Sequence, residues 1–151
     1  MRFTAKTEYA VRAIIEIALV TDDKPAQVRE IASKQAIPER FLEQVMAALK
    51  KASLIESIRG AQGGYRLTRP ASEITMAQII EAIEGPMQVM ECLSKDNEHQ
   101  KCHQAGLCAV KDVWASVQSS IVEALDSISL AKLTDNYKAK QKDSVGSAGP
   151  G

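Results

Sequence analysis

A glycine-rich segment between two short apolar runs constrains the fold of this chain most strongly. Residues 60–64 read Gly-Ala-Gln-Gly-Gly, and residues 54–59 and 65–68 on either side carry Leu, Ile and Tyr side chains that suit strands. Glycine gives the backbone the freedom that a tight turn requires. The pattern predicts a β-hairpin with the glycines at its tip.

The sequence before this hairpin has the apolar periodicity of three helices. One pattern covers 7–20, a shorter one covers 28–35, and a third begins after Pro38, a residue that suits a first helical turn. The third helix is expected to bury Leu42, Val45, Met46 and Leu49. Two helices with a short connection, followed by a hairpin, form the order of a winged helix-turn-helix. We assign this domain to residues 1–85.

The second half of the chain is predicted to contain two more helices. Thr75-Met76-Ala77-Gln78 is a capping-box sequence that opens a helix over 75–84, and Gly85 with Pro86 ends it. Residues 86–107 show no periodicity and hold a cysteine loop. An apolar seam at helical spacing then runs along one long helix over 108–133: Val110, Val113, Val117, Ile121, Ala124 and Ile128.

The seam is predicted to form a dimer interface, because soluble monomers avoid contiguous apolar stripes in water. Packing of the seam on the chain's own winged domain is the alternative. Residues 134–151 are rich in Lys, Ser and Gly, which predicts a disordered tail. The expected fold class is therefore mainly α with a small β-hairpin wing, completed by a long C-terminal dimerisation helix.

Charge is distributed unevenly along a chain whose net charge is zero. Residues 1–70 carry 12 Lys and Arg against 8 Asp and Glu, whereas 71–151 carry 7 against 11. A basic half on a neutral chain indicates one surface for an anionic partner.

The polar face of the third helix and the basic residues near the hairpin are the candidate surface for this partner. Arg, Glu and Gln side chains match base edges in the major groove, and Lys and Arg beside them suit phosphates or the minor groove. The expected contacts with double-stranded DNA are Arg40, Glu43, Gln44, Lys50, Lys51, Arg59, Gly60, Gln62 and Arg66, with Ala47 on the same helix face and Arg69 also near the tip. A solvated helix face and a winged helix that binds only protein are the alternatives.

Other functional classes find little support in the sequence. No apolar run approaches the ~20 residues that span a bilayer, so no membrane partner is expected. The first residues, interrupted by Lys6, Glu8 and Arg12, do not match a signal peptide, which predicts a cytoplasmic protein. Both histidines lie in the cysteine loop, so no dispersed catalytic set can be assembled and no enzyme is expected.

Three motifs give the chain a family resemblance. The opening Met-Arg-Phe-Thr-Ala-Lys-Thr-Glu-Tyr-Ala-Val-Arg-Ala, the stretch Phe41-Leu42-Glu43-Gln44 and the wing sequence Arg-Gly-Ala-Gln-Gly-Gly-Tyr from Arg59 resemble the Rrf2 family of bacterial winged-helix transcription regulators, and its iron–sulfur type in particular. The resemblance extends from residue 1 to about residue 133. It implies a homodimer on near-palindromic operators, with Glu43 and Gln44 at base-reading positions and Arg59 as the minor-groove arginine.

Cys92 and Cys102 in the polar loop, and Cys108 directly after it, could converge on a metal centre. Thiolate is the usual ligand of iron–sulfur clusters. The spacing of the last two cysteines is similar to that of the family's cluster loop, while the first gap is longer. We expect a cluster, 2Fe–2S or 4Fe–4S, on these thiols. A zinc site that adds His99 or His103, and a metal-free thiol redox sensor, are the alternatives.

The fourth ligand of such a cluster is an open question. In the best-known iron–sulfur members of the family it is a His three residues after the last Cys, but Lys111 occupies that position here. Other relatives use an acidic residue early in the first helix of the partner subunit, and Glu8 stands at the matching position. His99, His103 and a solvent or small-molecule ligand are the other candidates. An ion pair with Arg12 is the structural alternative for Glu8.

Overall fold

Six helices and one hairpin make up the computed structural model, which describes residues 2–20, 24–93 and 107–147. In chain order the elements are α1 (Ala5–Leu19), α2 (Val28–Gln35), α3 (Glu39–Lys51), β1 (Ile55–Ile58), β2 (Gly64–Leu67), α4 (Met76–Glu84), α5 (Lys111–Asp126) and α6 (Leu130–Gly146). Short 3-10 turns lie at Ala71–Glu73 and Glu91–Leu93. The mainly α fold class with a hairpin wing is thereby confirmed.

The core is built around α1, which packs against α3, α4 and α6. Its buried face includes the small side chains of Ala10 and Ala13, which let the neighbouring helices approach closely. The third helix buries the predicted stripe of Leu42, Val45, Met46 and Leu49 completely. The helix-turn-helix therefore rests on the first and fourth helices.

The hairpin needs its glycines for steric reasons. The strands pair antiparallel from Ile55 opposite Leu67 to Ile58 opposite Gly64, and Gly60 has a φ of +120° that side chains disfavour. A Cβ on Gly64 would come within 2.4 Å of the carbonyl oxygen of Ala26, because the segment before α2 also pairs with β2. Any larger residue at Gly64 would push the wing away from the helices.

The predicted cap of the fourth helix is confirmed. The backbone N–H of Gln78 donates to the Thr75 hydroxyl at 3.3 Å, and the Gln78 side-chain oxygen accepts from the Thr75 N–H at 3.1 Å. The reciprocal pair satisfies two N–H groups that a helix start leaves open. Gly85, with a φ of +82°, ends the helix.

The prediction of one helix over 108–133 is wrong, and so is that of a disordered tail over the described part of 134–151, which ends at residue 147. The helix stops at Asp126 because the following backbone pairs with the start of α4: the Met76 N–H donates to Ile128, and the Leu130 N–H donates to Ile74 at 2.7 Å. Ser129 then caps α6, which continues to Gly146. Burial of Leu130 and Thr134 ties this last helix to the core.

Within the described ranges, no helix is long and apolar enough to cross a membrane.

Candidate nucleic-acid interface and cysteine segment

The third helix presents a polar face to solvent. Arg40, Glu43, Gln44 and Ala47 are all exposed, opposite the stripe that is buried in the core. This separation of faces agrees with the sequence analysis. The helix is therefore free to enter a groove without disturbing its own packing, while base contacts by these side chains remain a prediction.

Phe41 is a member of this surface that the sequence analysis missed. The residue is 38% exposed, and the centroid of its ring lies 6.5 Å from that of Tyr9 on α1 and 5.3 Å from the guanidinium carbon of Arg40. A cation over an aromatic face is attracted to the ring. Phe41 therefore restricts Arg40 at the start of the helix. The available signal was an aromatic residue one position outside the apolar stripe.

Charged groups on the wing differ in how freely they could meet a phosphate. Arg66 pairs with Glu56 across the hairpin, with 2.6 Å between Nε and Oε1. Arg59 is exposed and makes no hydrogen bond or ion pair within the described part of the chain. Gly60 and Gln62 are exposed beside it at the tip. Arg59 is therefore more available than Arg66 for contact with a phosphate.

The end of α3 is joined to the wing. The Lys50 ammonium donates to the Ser57 hydroxyl on β1 at 2.9 Å, and Lys51 is exposed. Arg69, expected near the tip, instead points to the scaffold, where its guanidinium donates to the Gln78 side chain at 3.0 Å. The expectation for Arg69 is wrong because its own partner lies on α4.

Two of the three cysteines lie close to α5, one in a turn packed against it and one just before its first residue. Cys92 lies in the 3-10 turn Glu91–Leu93, which packs against α5, and Cys108 comes just before α5, where its carbonyl accepts from the Lys111 N–H at 3.3 Å. Both are free thiols, with Cys92 exposed and Cys108 half-buried. The Val89 N–H donates to Gln118 at 3.0 Å, which anchors the chain leading to Cys92.

The rest of the predicted cysteine site is not described. Cys102, His99 and His103 lie outside the described residues. Within 2–20, 24–93 and 107–147, no three His, Cys, Asp or Glu side chains converge on a point that would hold a metal ion.

Glu8 lies on the exposed side of α1. Its side chain is 69% exposed, and Oε1 is 3.4 Å from a guanidinium nitrogen of Arg12, so the ion pair given as the structural alternative is present. The two residues border a groove of about 500 Å³ whose apolar lining includes Phe3, Val11 and Met76. A weak, exposed pair of this kind leaves the Glu8 carboxylate available to another partner.

The first half of α5 leaves an apolar face uncovered. Val110, Val113, Trp114 and Val117 are 54%, 57%, 37% and 38% exposed. Ile121 and Ile128, later along the seam, are half-buried, and α5 packs against α4. Packing on the chain's own winged domain therefore accounts for Ile121 and Ile128 and not for the first half of the seam.

Comparison with known proteins matches the chain to a family along most of its length. The family model described as Rrf2, an iron-dependent transcriptional regulator, matches residues 3–136. This chain belongs to the Rrf2 family. The regulator IscR of Photorhabdus laumondii is 34% identical over 138 residues, which cover 91% of this chain and 82% of that protein.

Solved structures of Rrf2-type regulators share the fold. CymR, the global cysteine regulator of B. subtilis, has a TM-score of 0.72 at 30% identity, covering 90% of this chain and 98% of that one. IscR of T. potens has a TM-score of 0.72 at 33% identity, covering 93% and 91%. The chain is thus a transcription regulator of a non-enzymatic family, with a DNA-binding winged helix.

Proposed function

We propose that this Rrf2 protein acts as a homodimer that reads a duplex operator with α3 and the wing. The exposed polar face of α3, backed by a fully buried stripe, carries the proposal. Arg40, Glu43 and Gln44 meet base edges in the major groove. Arg59 at the wing tip enters the adjacent minor groove, whose narrow form attracts arginine.

Lysines at the end of α3 and residues beside the wing tip hold the protein on the sugar–phosphate backbone. Lys51 is exposed and Lys50 is linked to the wing, so both cations stay near the groove that α3 occupies. Gly60 has no side chain, so the wing backbone approaches the DNA backbone closely there. Gln62 supplies a neutral hydrogen-bond donor to a phosphate. Arg66 contributes less because Glu56 already neutralises it. Such phosphate contacts supply affinity rather than sequence preference.

The second copy of the chain covers the first half of α5. Val110, Val113, Trp114 and Val117 form a continuous apolar strip along one side of that helix. Strips of this kind on regulators mark protein interfaces, and a dimer places two recognition helices on successive half-sites of one operator.

Control of operator binding is assigned to the thiols of Cys92, Cys102 and Cys108, which hold an iron–sulfur cluster. The donor chemistry fits, since Cys92 and Cys108 are free thiols that solvent reaches, the first in a turn packed against α5 and the second just before that helix. Relatives named IscR in the family described as iron-dependent support the same assignment. When bound, a cluster supplies a centre whose charge depends on oxidation state. Glu8 of the second subunit is the favoured fourth ligand, with His99 and His103 as alternatives.

Metal-free thiol sensing is the second candidate, and a specific observation favours it. The chain resembles CymR as closely in structure as it resembles IscR, and a second neighbour is the oxidized form of CymR from Staphylococcus aureus, at a TM-score of 0.67 and 28% identity. In this case oxidation of one exposed thiol, Cys92, changes the segment that leads into α5. Zinc bound by the cysteines and a histidine is a third assignment.

Protein purified without oxygen separates these candidates. A cluster predicts visible absorption with iron and sulfide in the preparation, all lost in a Cys92→Ser, Cys108→Ser variant. Thiol sensing predicts no iron, with a disulfide or sulfenic acid detected by mass spectrometry after peroxide treatment. Zinc without colour would support the third assignment. Selection of operators from random duplex DNA tests the regulator itself, and absence of any preferred sequence would contradict it.

A further inference from the structure

A buried carboxylate joins three helices of the domain. Glu16 on α1 is only 5% exposed, a position in which an unpaired charge is costly. Its Oε2 accepts from the Lys34 ammonium at 2.6 Å. Its Oε1 accepts from the Gln35 side-chain amide and from the Tyr137 hydroxyl, the latter at 2.9 Å. The three donors come from α2 and α6.

Gln35, the last residue of α2, is held at every polar atom of its side chain. Its amide nitrogen donates to Glu16 and to the Tyr137 hydroxyl, the latter at 3.1 Å. Its side-chain oxygen accepts from Nε of Arg12 at 3.1 Å, and its backbone carbonyl accepts from the same guanidinium. The network therefore fixes both the side chain and the backbone at the end of α2.

The residue after Gln35 turns the chain toward the recognition helix. Ala36 adopts a left-handed conformation with a φ of 51°, and α3 begins at Glu39. Side chains that read DNA must be held to within about 0.5 Å of their productive positions. A small shift at Gln35 would therefore be felt at Arg40, Glu43 and Gln44.

We propose that Tyr137 on α6 is a positioning residue for the DNA-reading surface, acting through Glu16 and Gln35 on the entry to α3. The helix that the sequence presents as a polar tail thus holds the turn of the helix-turn-helix. Since α6 follows α5 directly, a displacement of α5 at the subunit interface also reaches this turn. The inference rests on the proposed role of α3 in reading the operator.

Tyr137→Phe tests the inference because it keeps the ring and removes only the hydroxyl. The matched control is Thr134→Val, which removes another buried hydroxyl of α6 whose bond at 2.7 Å goes to Ala131 of the same helix. Affinity for a duplex operator selected by the wild-type protein and for a random duplex of equal length is measured by fluorescence anisotropy. Loss of folded protein lowers both affinities equally, whereas misplacement of α3 lowers the operator affinity selectively.

Tyr137→Phe is expected to weaken operator binding about three- to tenfold, the range of one net hydrogen bond, with random-duplex binding unchanged. Thr134→Val is expected to leave both affinities unchanged. The double variant Glu16→Gln, Tyr137→Phe should lose less operator-binding free energy than the sum of the losses in the two single variants, because both residues act in one network. Wild-type operator affinity in Tyr137→Phe would overturn the inference, even if its melting temperature falls. Failure of the wild-type protein to select any operator would instead overturn the proposed function.

Discussion

Glu84 at the end of α4 caps the start of α1 from 80 residues away in the sequence. Its Oε1 accepts from the Thr4 N–H at 2.8 Å, from the Thr4 hydroxyl at 2.7 Å and from the Thr7 hydroxyl. The first helix has no side-chain cap of its own. Glu84 is also where the chain leaves α4 and continues toward Cys92. Its hydrogen bonds therefore connect the start of that segment to the first turn of α1, which carries Glu8.

Replacement of Glu84 by Ala is expected to destabilise the fold by about 1 kcal/mol at neutral pH, the usual cost of a lost cap. The hydroxyls of Thr7 and Thr4 lower the pKa of Glu84, so its stabilisation is present above the ordinary value of 4.5 and is lost as the pH falls through the folded value. The difference between Glu84→Ala and wild type in urea unfolding should therefore shrink in acid. Glu81→Ala, an exposed carboxylate on the same helix, is the control, and an equal loss there would contradict the cap.

Arg59→Ala is expected to weaken operator binding by about tenfold, since this unpaired arginine is proposed to enter the minor groove. Arg66→Ala provides the comparison on the same wing, with a smaller expected loss because Glu56 already occupies its guanidinium. Gel-shift titrations at one fixed salt concentration measure both. Equal losses would show that the wing contributes only general charge.

Glu43→Ala is expected to relax the choice of base at one position of each half-site, because a carboxylate accepts from the cytosine amino group. Sequencing of operators selected by the variant reads out that position directly. Glu39→Ala, an exposed carboxylate at the start of α3, should leave the selected sequence unchanged. If Glu43→Ala selects the wild-type sequence, the base-reading role is wrong.

Val113→Glu with Val117→Glu is expected to give a monomer in light scattering, since two charges would be buried in the proposed α5 interface. Val145→Glu places the same change on α6, at a side chain that is 78% exposed, and should leave the dimer intact. An unchanged dimer in the double variant would move the interface away from α5.

Glu8→Ala is expected to shorten the lifetime of a cluster in air, since it removes the favoured fourth ligand while the thiols remain. His99→Ala and His103→Ala are the parallel variants, each followed by its visible spectrum. If a histidine variant loses the cluster while Glu8→Ala keeps the wild-type spectrum and lifetime, that histidine and not Glu8 is the fourth ligand.

The local sequence determined α3, the start of α4 and the wing tip, because each depends on residues that are close together in the chain. The stripe of Leu42 and Met46 places α3 against the core and leaves its polar face outside, because helical periodicity alone decides which side is apolar. The capping box from Thr75 to Gln78 closes within four residues of chain, so no distant contact was needed to place the start of α4. The glycines at the wing tip are also readable, since few other residues accept such a turn.

Only the tertiary structure decided the features that depend on distant partners. The apolar pattern from Val110 to Ile128 predicts one helix. The helix nevertheless ends at Asp126, because the backbone of Ile128 and Leu130 pairs with Met76 and Ile74 around the start of α4. The polar composition after Thr134 concealed a helix whose Tyr137 reaches the buried Glu16. Periodicity reports which face of an element is apolar, but it carries no information about a hydrogen bond between residues 121 positions apart.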